Sequence, residues 1–412
     1  MVAAQIECHG EARRCCARCG RRLPNKGHFR STFRSAFGNV PVRVRRLQAC
    51  PGCGQYPAAP TFICKSSTAA ELRYLNAKLA ALLPFGKVAD FLNEVLPVTA
   101  ATNAVTVRNR TRRVGARLLR EQAKPAGSAL PTESQTLVIG LDGGFVKSSR
   151  PLSERNFGIT AGKVLGEEGE CTRFAFATNE YEHGLRQIRH ALEELRVDEK
   201  TQITVLSDGD AGLRTVQWEV ARGSEHILDW FHVGIRLEHL LDASRAMQNV
   251  APVAHGSESA HDLATRAKRV LWNGQADKTF ARQEELRRWP LAEQGPTPEV
   301  RNLHRHATDL LKYVRANQDS LPDYSECQRE GVPFSTGWVE SAINELIAKR
   351  MAKAQQMRWN RWTVQPFLAV RTAVLNDTLA NSFRGWFRGF RTVDPKIPEL
   401  LAAEPTSIYA VQ

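Results

Sequence analysis

Leu137–Lys147 reads LVIGLDGGFVK, and this stretch decides the predicted fold of the chain. An apolar run of this length, followed by glycines, predicts a buried β-strand. Asp142 then lies at the end of, or within, a strand that otherwise holds apolar side chains. Burying a carboxylate is costly unless a cation compensates it. Asp142 is therefore either the residue that opens a Gly-Gly turn or one ligand of a site that other acids complete.

The segments that follow predict an α/β domain. Strands are expected at 155–165, 171–179, 202–208 and 225–228, and helices at 184–195 and 211–222. Three antiparallel strands, followed by alternating helices and strands, are in the order of a ribonuclease-H-like domain. In that topology the first and fourth strands are neighbours. Asp142 and Asp208 are then expected at one edge of the sheet.

Three acids are candidates for one metal site: Asp142, Asp208 and Glu340. Two carboxylates that lie close together cannot both ionise cheaply unless a cation lies between them, and Mg²⁺ prefers oxygen ligands. Glu340 stands near the start of a helix expected to run to residue 356. The alternative interpretation is that Glu340 interacts only with the dipole of this helix. Asp210 is expected to be a turn or cap residue. His232 is either a contact to phosphate or a structural histidine.

The net charge of +14 is unevenly distributed. Residues 1–135 hold 22 lysines and arginines against seven acids, whereas the remainder holds 35 against 36. This asymmetry predicts a polyanion-binding module joined to a nearly neutral one. The absence of an apolar run long enough for a membrane span, and of a signal-peptide core, predicts a cytosolic protein without a membrane partner.

Two C-x-x-C-G motifs predict a structural zinc site. The cysteines are Cys16, Cys19, Cys50 and Cys53. Two thiolate pairs at this spacing can complete a tetrahedron around Zn²⁺. The segment 33–46 between them alternates like a hairpin, with its turn expected at Gly38-Asn39. Cys15 is an alternative to Cys16, and four unrelated cysteines remain the other interpretation.

Residues 69–122 predict short helices, a tight break and a basic helix, which is compatible with a helix-turn-helix DNA reader. The candidate DNA-binding residues there are Arg108, Arg110, Arg112, Arg113 and Arg117. A three-helix spacer with a solvated basic face is the alternative. A second candidate set follows Glu340 and consists of Lys349, Arg350, Arg358 and Trp359. Bases can stack on tryptophan while arginine pairs with phosphate, although tryptophan is more often a core residue.

Several motifs together resemble one family. They are LDGGFV, NFGITAGKVL, VLSDGDAGLR, ILDWFHV and STGWVESAINELIAKRMAKAQQMRW. The chain resembles bacterial insertion-sequence DDE transposases of the Kra type and, more distantly, Mutator-like transposases. The resemblance implies that Asp142, Asp208 and Glu340 are catalytic and hold two Mg²⁺ or Mn²⁺ ions. It also implies that Asp229 and His232 form the D-x-x-H signature of such enzymes.

The resemblance further implies that the protein cleaves double-stranded DNA at transposon ends and transfers the strands to target DNA. It also implies that a homo-oligomer acts on paired ends and that the protein is associated with the nucleoid. The implied domains are a zinc-ribbon-like domain at 1–66, a helical DNA-binding region at 67–124, a linker at 125–134, a ribonuclease-H-like core at 135–232 and 333–380, a helical insertion at 233–332 and a tail at 381–412. A non-catalytic DNA-binding regulator derived from a transposase and a structure-specific nuclease on the same fold are the alternatives.

Overall fold

The computed structural model describes residues 14–56, 67–97, 102–122, 136–150, 153–167, 169–195, 197, 201–247, 258–288, 297–335, 337, 343–352, 357–387 and 389–391. The protein is a mixed α/β protein with a mixed sheet. It divides into two compact units: residues 1–114 with 377–412, and residues 115–376. The expected linker at 125–134 lies outside the described residues. Among the helices described, none has the length and apolar character needed to cross a bilayer.

The elements are numbered in chain order. The strands are β1 (Asn25–Ser35), β2 (Gly38–Leu47), β3 (Thr136–Lys147), β4 (Asn156–Leu165), β5 (Cys171–Ala177), β6 (Gln202–Ser207) and β7 (Glu225–Leu228). The α-helices are α1 (Ala70–Leu82), α2 (Phe85–Val95), α3 (Ala104–Gln122), α4 (Tyr181–Glu194), α5 (Ala211–Val220), α6 (Trp230–Arg245), α7 (Ala260–Trp272), α8 (Ala276–Arg288), α9 (Pro298–Ala316), α10 (Tyr324–Glu330), α11 (Gln365–Leu375) and α12 (Leu379–Trp386).

In the first unit, β1 and β2 form an antiparallel hairpin whose turn differs from the prediction. Ser35 pairs with Gly38, so Ala36 and Phe37 form the turn instead of Gly38-Asn39. The Ser35 hydroxyl stabilises this turn, because it donates to the Gly38 carbonyl at 2.9 Å and accepts from the Phe37 N–H at 3.2 Å. Gly38 then opens β2 with a φ of 115°, a value that favours glycine.

The C-terminal aromatic residues are part of the first unit. Phe383 and Phe390 pack edge-on against Tyr74 of α1, with ring centroids 5.4 and 5.3 Å away. Both phenylalanines are buried. The motif around them, FRGWFRGFR, therefore helps to build the unit that begins at the other end of the chain.

The second unit contains a five-stranded sheet in the order β5-β4-β3-β6-β7. β3, β6 and β7 are parallel, whereas β4 is antiparallel to both β3 and β5. The prediction that the first and fourth strands of this domain are neighbours is confirmed. On one face of the sheet, apolar side chains of β3 such as Ile139 and Leu141 pack with residues of α4 and α5 such as Ile188 and Val216.

β3 continues beyond Asp142 and does not turn at Gly143-Gly144. Asp142 pairs with Ala161 of β4, and the pairing extends to Lys147. The interpretation of Asp142 as the opening residue of a turn is therefore wrong. A methyl group on Gly144 would lie 3.0 Å from the Ile347 side chain, so the missing side chain lets this segment approach β3 closely.

Ile347 belongs to a π-helix, Asn344–Ala352, in the place where an α-helix was expected. The buried Arg371 of α11 donates hydrogen bonds to two of its carbonyls, those of Glu345 and of Leu346, the latter at 2.6 Å. These bonds give the two carbonyl groups a hydrogen-bond partner in a helix whose backbone hydrogen-bond pattern differs from that of an α-helix.

Helices α6 to α10 occupy the segment for which an all-helical insertion was predicted. Helices α6 to α9 share a core with Leu228 of β7, and this core includes Leu240, Leu263, Leu303 and Leu310. Tyr324 of α10 ties this core to the sheet, because its hydroxyl donates to the Leu228 carbonyl at the end of β7 at 2.8 Å.

Candidate metal centres

The four predicted cysteines converge in the first unit. The Sγ atoms of Cys16 and Cys53 are 3.5 Å apart, those of Cys19 and Cys50 are 3.4 Å apart, and all four lie within 4.8 Å of one another. Zn–S bonds of about 2.3 Å in a tetrahedron place sulfurs roughly 3.8 Å apart. The four thiols can therefore bind a metal such as zinc. Cys15, the alternative ligand, is exposed and lies outside this set.

Each half of this centre is built by the same local turn. The N–H of Gly20 donates to the Cys16 carbonyl at 2.9 Å, and the N–H of Gly54 donates to the Cys50 carbonyl at 2.8 Å. Both glycines have a positive φ, 70° and 67°, which explains their place after each C-x-x-C pair. The N–H groups of Cys19 and Arg18 lower the pKa of the Cys16 thiol to about 6. A thiolate, the form that binds metal, is thus favoured there.

Strand register assembles three acids at one edge of the sheet in the second unit. Gly140 of β3 pairs with Leu206 of β6, which pairs with Ile227 of β7. Asp142, Asp208 and Asp229 each stand two positions beyond these residues. The three acids therefore occupy equivalent places where the parallel pairing ends. We name this set, together with His232, the carboxylate edge.

Asp142 of the carboxylate edge is a buried acid with a perturbed pKa. It is only 8% exposed, and burial raises its pKa to about 6. The negative charges of Asp208 and Asp229 raise the pKa further, whereas His232 and a 2.6 Å hydrogen bond from the Gly143 N–H lower it. A cation placed beside Asp142 would relieve both the burial cost and the repulsion.

His232 lies between two of the acids. Its Nε2 is 3.8 Å from Oδ1 of Asp142 and 3.6 Å from Oδ2 of Asp229. Asp229 is fully buried, and its Oδ1 accepts the Phe231 N–H at 2.9 Å, which caps the start of α6. The two carboxylates therefore hold the imidazole at the edge of the sheet, while the cap fixes Asp229 itself.

The loop after β6 is held by the helical insertion. The Tyr313 hydroxyl of α9 donates to the Asp208 carbonyl at 2.9 Å, and burial raises the pKa of Tyr313, so the hydroxyl keeps its proton. The Arg236 guanidinium lies 3.8 Å from the centre of the Tyr313 ring. No sequence pattern pointed to the bond between Tyr313 and the Asp208 loop, because the two residues are 105 positions apart. Asp210 caps α5 by accepting from the Gly212 N–H at 2.7 Å, as predicted.

The carboxylate edge is more open than the cysteine centre. In the part of the chain that is described, the four cysteines are the only group of three or more metal-ligating side chains whose ligand atoms all lie within 4.8 Å. The predicted third acid, Glu340, lies outside the described residues. The π-helix that begins four positions later borders β3 at Gly144.

Three of the predicted DNA-binding residues are buried, and for them the prediction of a DNA contact is wrong in this structure. Arg350 is 1% exposed, and its guanidinium lies 5.5 Å from the Trp359 ring and 5.0 Å from the Phe367 ring. Burial lowers the pKa of Arg350 to about 9. Trp359 is itself a core residue, with its ring 4.5 Å from Phe367 and its Nε1 donating to the Met351 carbonyl. Arg110 is buried in α3.

The other predicted DNA-binding residues remain accessible. Arg108, Arg113, Lys349 and Arg358 are exposed, and Arg112 and Arg117 are half-buried. Arg117 lies 3.6 Å from Glu121 in an i,i+4 ion pair, which reduces its availability to phosphate. Comparisons of the chain with protein-family models and with curated proteins found no match.

Proposed function

We propose that this protein is a DDE transposase, which binds the ends of an insertion sequence and carries out metal-dependent DNA cleavage and strand transfer. The observation that carries the proposal is the carboxylate edge. Parallel register aligns Asp142 with Asp208, and Asp142 is a buried carboxylate with a pKa of about 6. A carboxylate so perturbed, beside a second acid and a histidine, is a candidate functional group.

The order of the sheet favours a ribonuclease-H-like catalytic domain. The strands, numbered within this domain, run 3-2-1-4-5, with the first three antiparallel and the last two parallel to the first. A helical insertion follows the fifth strand, and the segment that carries Glu340 comes after it. This arrangement allows acids from distant parts of the chain to serve one site.

The chemistry follows from the ligand types. Two Mg²⁺ or Mn²⁺ ions, when bound, would stabilise the attacking and leaving oxygens of an in-line displacement at phosphorus. Asp142 and Asp208 are the proposed ligands of these ions, with Glu340 as the proposed third acid. His232, whose Nε2 is 3.8 Å from Oδ1 of Asp142, is the proposed contact to a phosphate oxygen. Gly143 has no side chain, and a methyl group added to it would meet no other atom within 4 Å, so the face of β3 opposite to the Asp142 side chain is open at this position.

The first unit supplies the proposed DNA-binding module. Zn²⁺ in the cysteine centre would fix the two C-x-x-C turns and the hairpin between them. Arg108 and Arg113 are exposed on α3 and are the best placed of the predicted helix residues to contact duplex DNA. Lys349 and Arg358 are exposed in the second unit and remain proposed DNA contacts. Synapsis of two ends would require a homo-oligomer.

A matched pair of variants tests the catalytic proposal. Asp208→Asn removes a proposed ligand, whereas Asp210→Asn, two residues away, changes a helix cap into another good cap. We expect Asp208→Asn, Asp142→Asn and Glu340→Gln to lose at least about a thousandfold in cleavage of transposon-end DNA with Mg²⁺ or Mn²⁺, a barrier increase of about 4 kcal/mol. Asp210→Asn is expected to retain cleavage within about threefold.

Two outcomes would redirect the proposal. Retained cleavage in Asp142→Asn would remove the carboxylate edge from the mechanism. A wild-type protein that binds the ends but never cuts them would be a DNA-binding regulator instead. A joining assay separates a transposase from a structure-specific nuclease, because only the transposase links the freed 3′ end to a second duplex.

A further inference from the structure

The hairpin formed by β1 and β2 carries charge of one sign. The sequence contains no Asp or Glu between Glu11 and Glu71, a segment with 12 lysines and arginines. Six of these cations lie within the hairpin itself: Lys26, Arg30, Arg34, Arg43, Arg45 and Arg46. No acid within this segment can therefore neutralise these charges.

The alternation of side chains separates the hairpin into two faces. Val42 and Val44 are buried and pack with Phe33 and Val40 on one face. The residues between them in β2 point to the other face, where Arg43 is exposed. The apolar face is thus used by the fold, whereas Arg30 and Arg43 are exposed on the opposite, cationic face.

Like charges face each other directly across the two strands. Arg30 pairs with Arg43 in the antiparallel register, and both are exposed. The adjacent pair on this face is His28 with Arg45. Such facing charges destabilise a hairpin in isolation. A polyanion that contacts both strands at once would convert this repulsion into binding.

We propose that the cationic face of the β1–β2 hairpin lies in the major groove of duplex DNA and contacts its phosphates. Nine residue pairs give the ribbon a length of about 30 Å, and the major groove of B-DNA, about 12 Å wide, admits a two-stranded ribbon. The major groove of duplex RNA is too deep and narrow for side chains to enter. Duplex DNA is therefore the partner that this shape and charge fit.

The same face leads toward the basic helix of the first unit. Arg34 alternates with Arg30 on β1, and its positive charge, together with that of Arg113, lowers the pKa of Arg110 below the value that burial alone would give. Hairpin and helix thus place their cations close enough to act on one another. The inference extends the proposed function by a second DNA-contacting element and rests on it only for the premise that the chain binds DNA.

Two charge reversals with a matched control test the inference in the full-length, zinc-loaded protein. Arg30→Glu and Arg43→Glu each leave one arginine facing one glutamate, so the hairpin should fold at least as well as before. Arg46→Glu changes the net charge equally, but Arg46 follows Arg45 in the strand and alternates to the opposite face. Binding to a 20-base-pair duplex is measured by fluorescence anisotropy at several NaCl concentrations, without Mg²⁺ or Mn²⁺.

We expect Arg30→Glu and Arg43→Glu to raise Kd about tenfold or more and to reduce the slope of log K against log salt by about 1. Their melting temperatures should be unchanged or higher, and Arg46→Glu should change Kd less than about threefold. Equal effects of all three reversals, unchanged binding in the first two, or equal affinity for duplex RNA would overturn the inference. A wild-type chain that binds no DNA would instead overturn the proposed function.

Discussion

The cysteine centre and the carboxylate edge are two candidate metal sites assembled in different ways. The cysteine centre consists of two copies of one short turn, and its four sulfurs lie within 4.8 Å of one another. The carboxylate edge draws on strand ends that are 66 and 87 positions apart from Asp142 in the chain, and its acids form no such closed group in the described parts of the protein. A closed set of ligands suits a structural ion, whereas a catalytic ion needs positions that substrate can enter.

The difference also concerns electrostatics. Backbone N–H groups lower the pKa of Cys16, which favours the metal-binding form before any metal arrives. Burial and neighbouring acids raise the pKa of Asp142, which disfavours the metal-binding form until a cation compensates it. In the cysteine centre the pKa of Cys16 and Cys50 is lowered and that of Cys19 and Cys53 is raised, so two of the four thiols favour the metal-binding form without a metal. At the carboxylate edge, burial first and the neighbouring acids second disfavour that form of Asp142, and an ion would relieve both.

The largest expected effect comes from opening the cysteine centre. Cys50→Ser should abolish zinc binding and expose the segment around the hairpin to proteases, because structural zinc contributes on the order of 10 kcal/mol to folding. Bound zinc is measured by elemental analysis, and exposure by limited proteolysis. Cys15→Ser is the control, since Cys15 is exposed and lies outside the set. Full zinc content in Cys50→Ser would show that the centre is not closed by these four ligands.

A smaller effect is expected when the repulsion at the carboxylate edge is removed. The folded-state pKa of Asp142, about 6, lies above the usual value of an aspartate. The native protein therefore holds this proton more tightly than the unfolded chain does, and its stability falls as the pH rises from about 4 to 6. In metal-free buffer, Asp142→Asn should then exceed the wild type in unfolding free energy by about 3 kcal/mol at pH 7.5 and by little at pH 4.

Urea unfolding at the two pH values measures this advantage. Addition of Mg²⁺ should stabilise the wild type at pH 7.5 more than Asp142→Asn, because the variant lacks one of the proposed carboxylate ligands. An asparagine variant that is less stable than the wild type at pH 7.5 without metal would show that Asp142 is not under repulsion.

The smallest expected effect concerns the support of the Asp208 loop. Tyr313→Phe removes the hydroxyl that donates to the Asp208 carbonyl, a loss of about 1 kcal/mol that should lower DNA cleavage about fivefold. Tyr324→Phe is the matched control, because it removes an equivalent buried hydroxyl bond to the Leu228 carbonyl. We expect similar losses of stability in both variants and a loss of cleavage mainly in Tyr313→Phe. Equal cleavage losses would mean that the insertion supports the sheet and not the loop.

The sequence predicted the cysteine centre well, because the information for it is local. C-x-x-C followed by glycine specifies the thiol spacing and the positive φ in five residues, twice. The neighbouring arrangement of β3 and β6 was also predictable, since strand order and handedness restrict the possible topologies. Asp210 was recognised as a cap because the cap and its helix are adjacent in the chain.

Long-range packing was not predictable in the same way. Periodicity and composition could not show that Arg350 and Trp359 stack inside the second unit, because their partners Phe367 and Met351 are specified by tertiary structure alone. The predicted hairpin turn was misplaced by two residues. A Gly-Asn pair is a strong turn signal. The hydrogen bonds of the Ser35 hydroxyl, which stabilise the actual turn, have no comparable sequence signal. Tyr313 has no sequence signal at all.

The packing of Tyr74 against Phe383 and Phe390 has a consequence for synthesis of the chain. About three hundred residues separate these partners, so a ribosome that adds 5–20 residues per second needs roughly 15–60 s between them. During that time α1 is present without the rings that cover it. The first unit is therefore completed last, after the sheet of the second unit has been translated, and a chain released early would expose Tyr74.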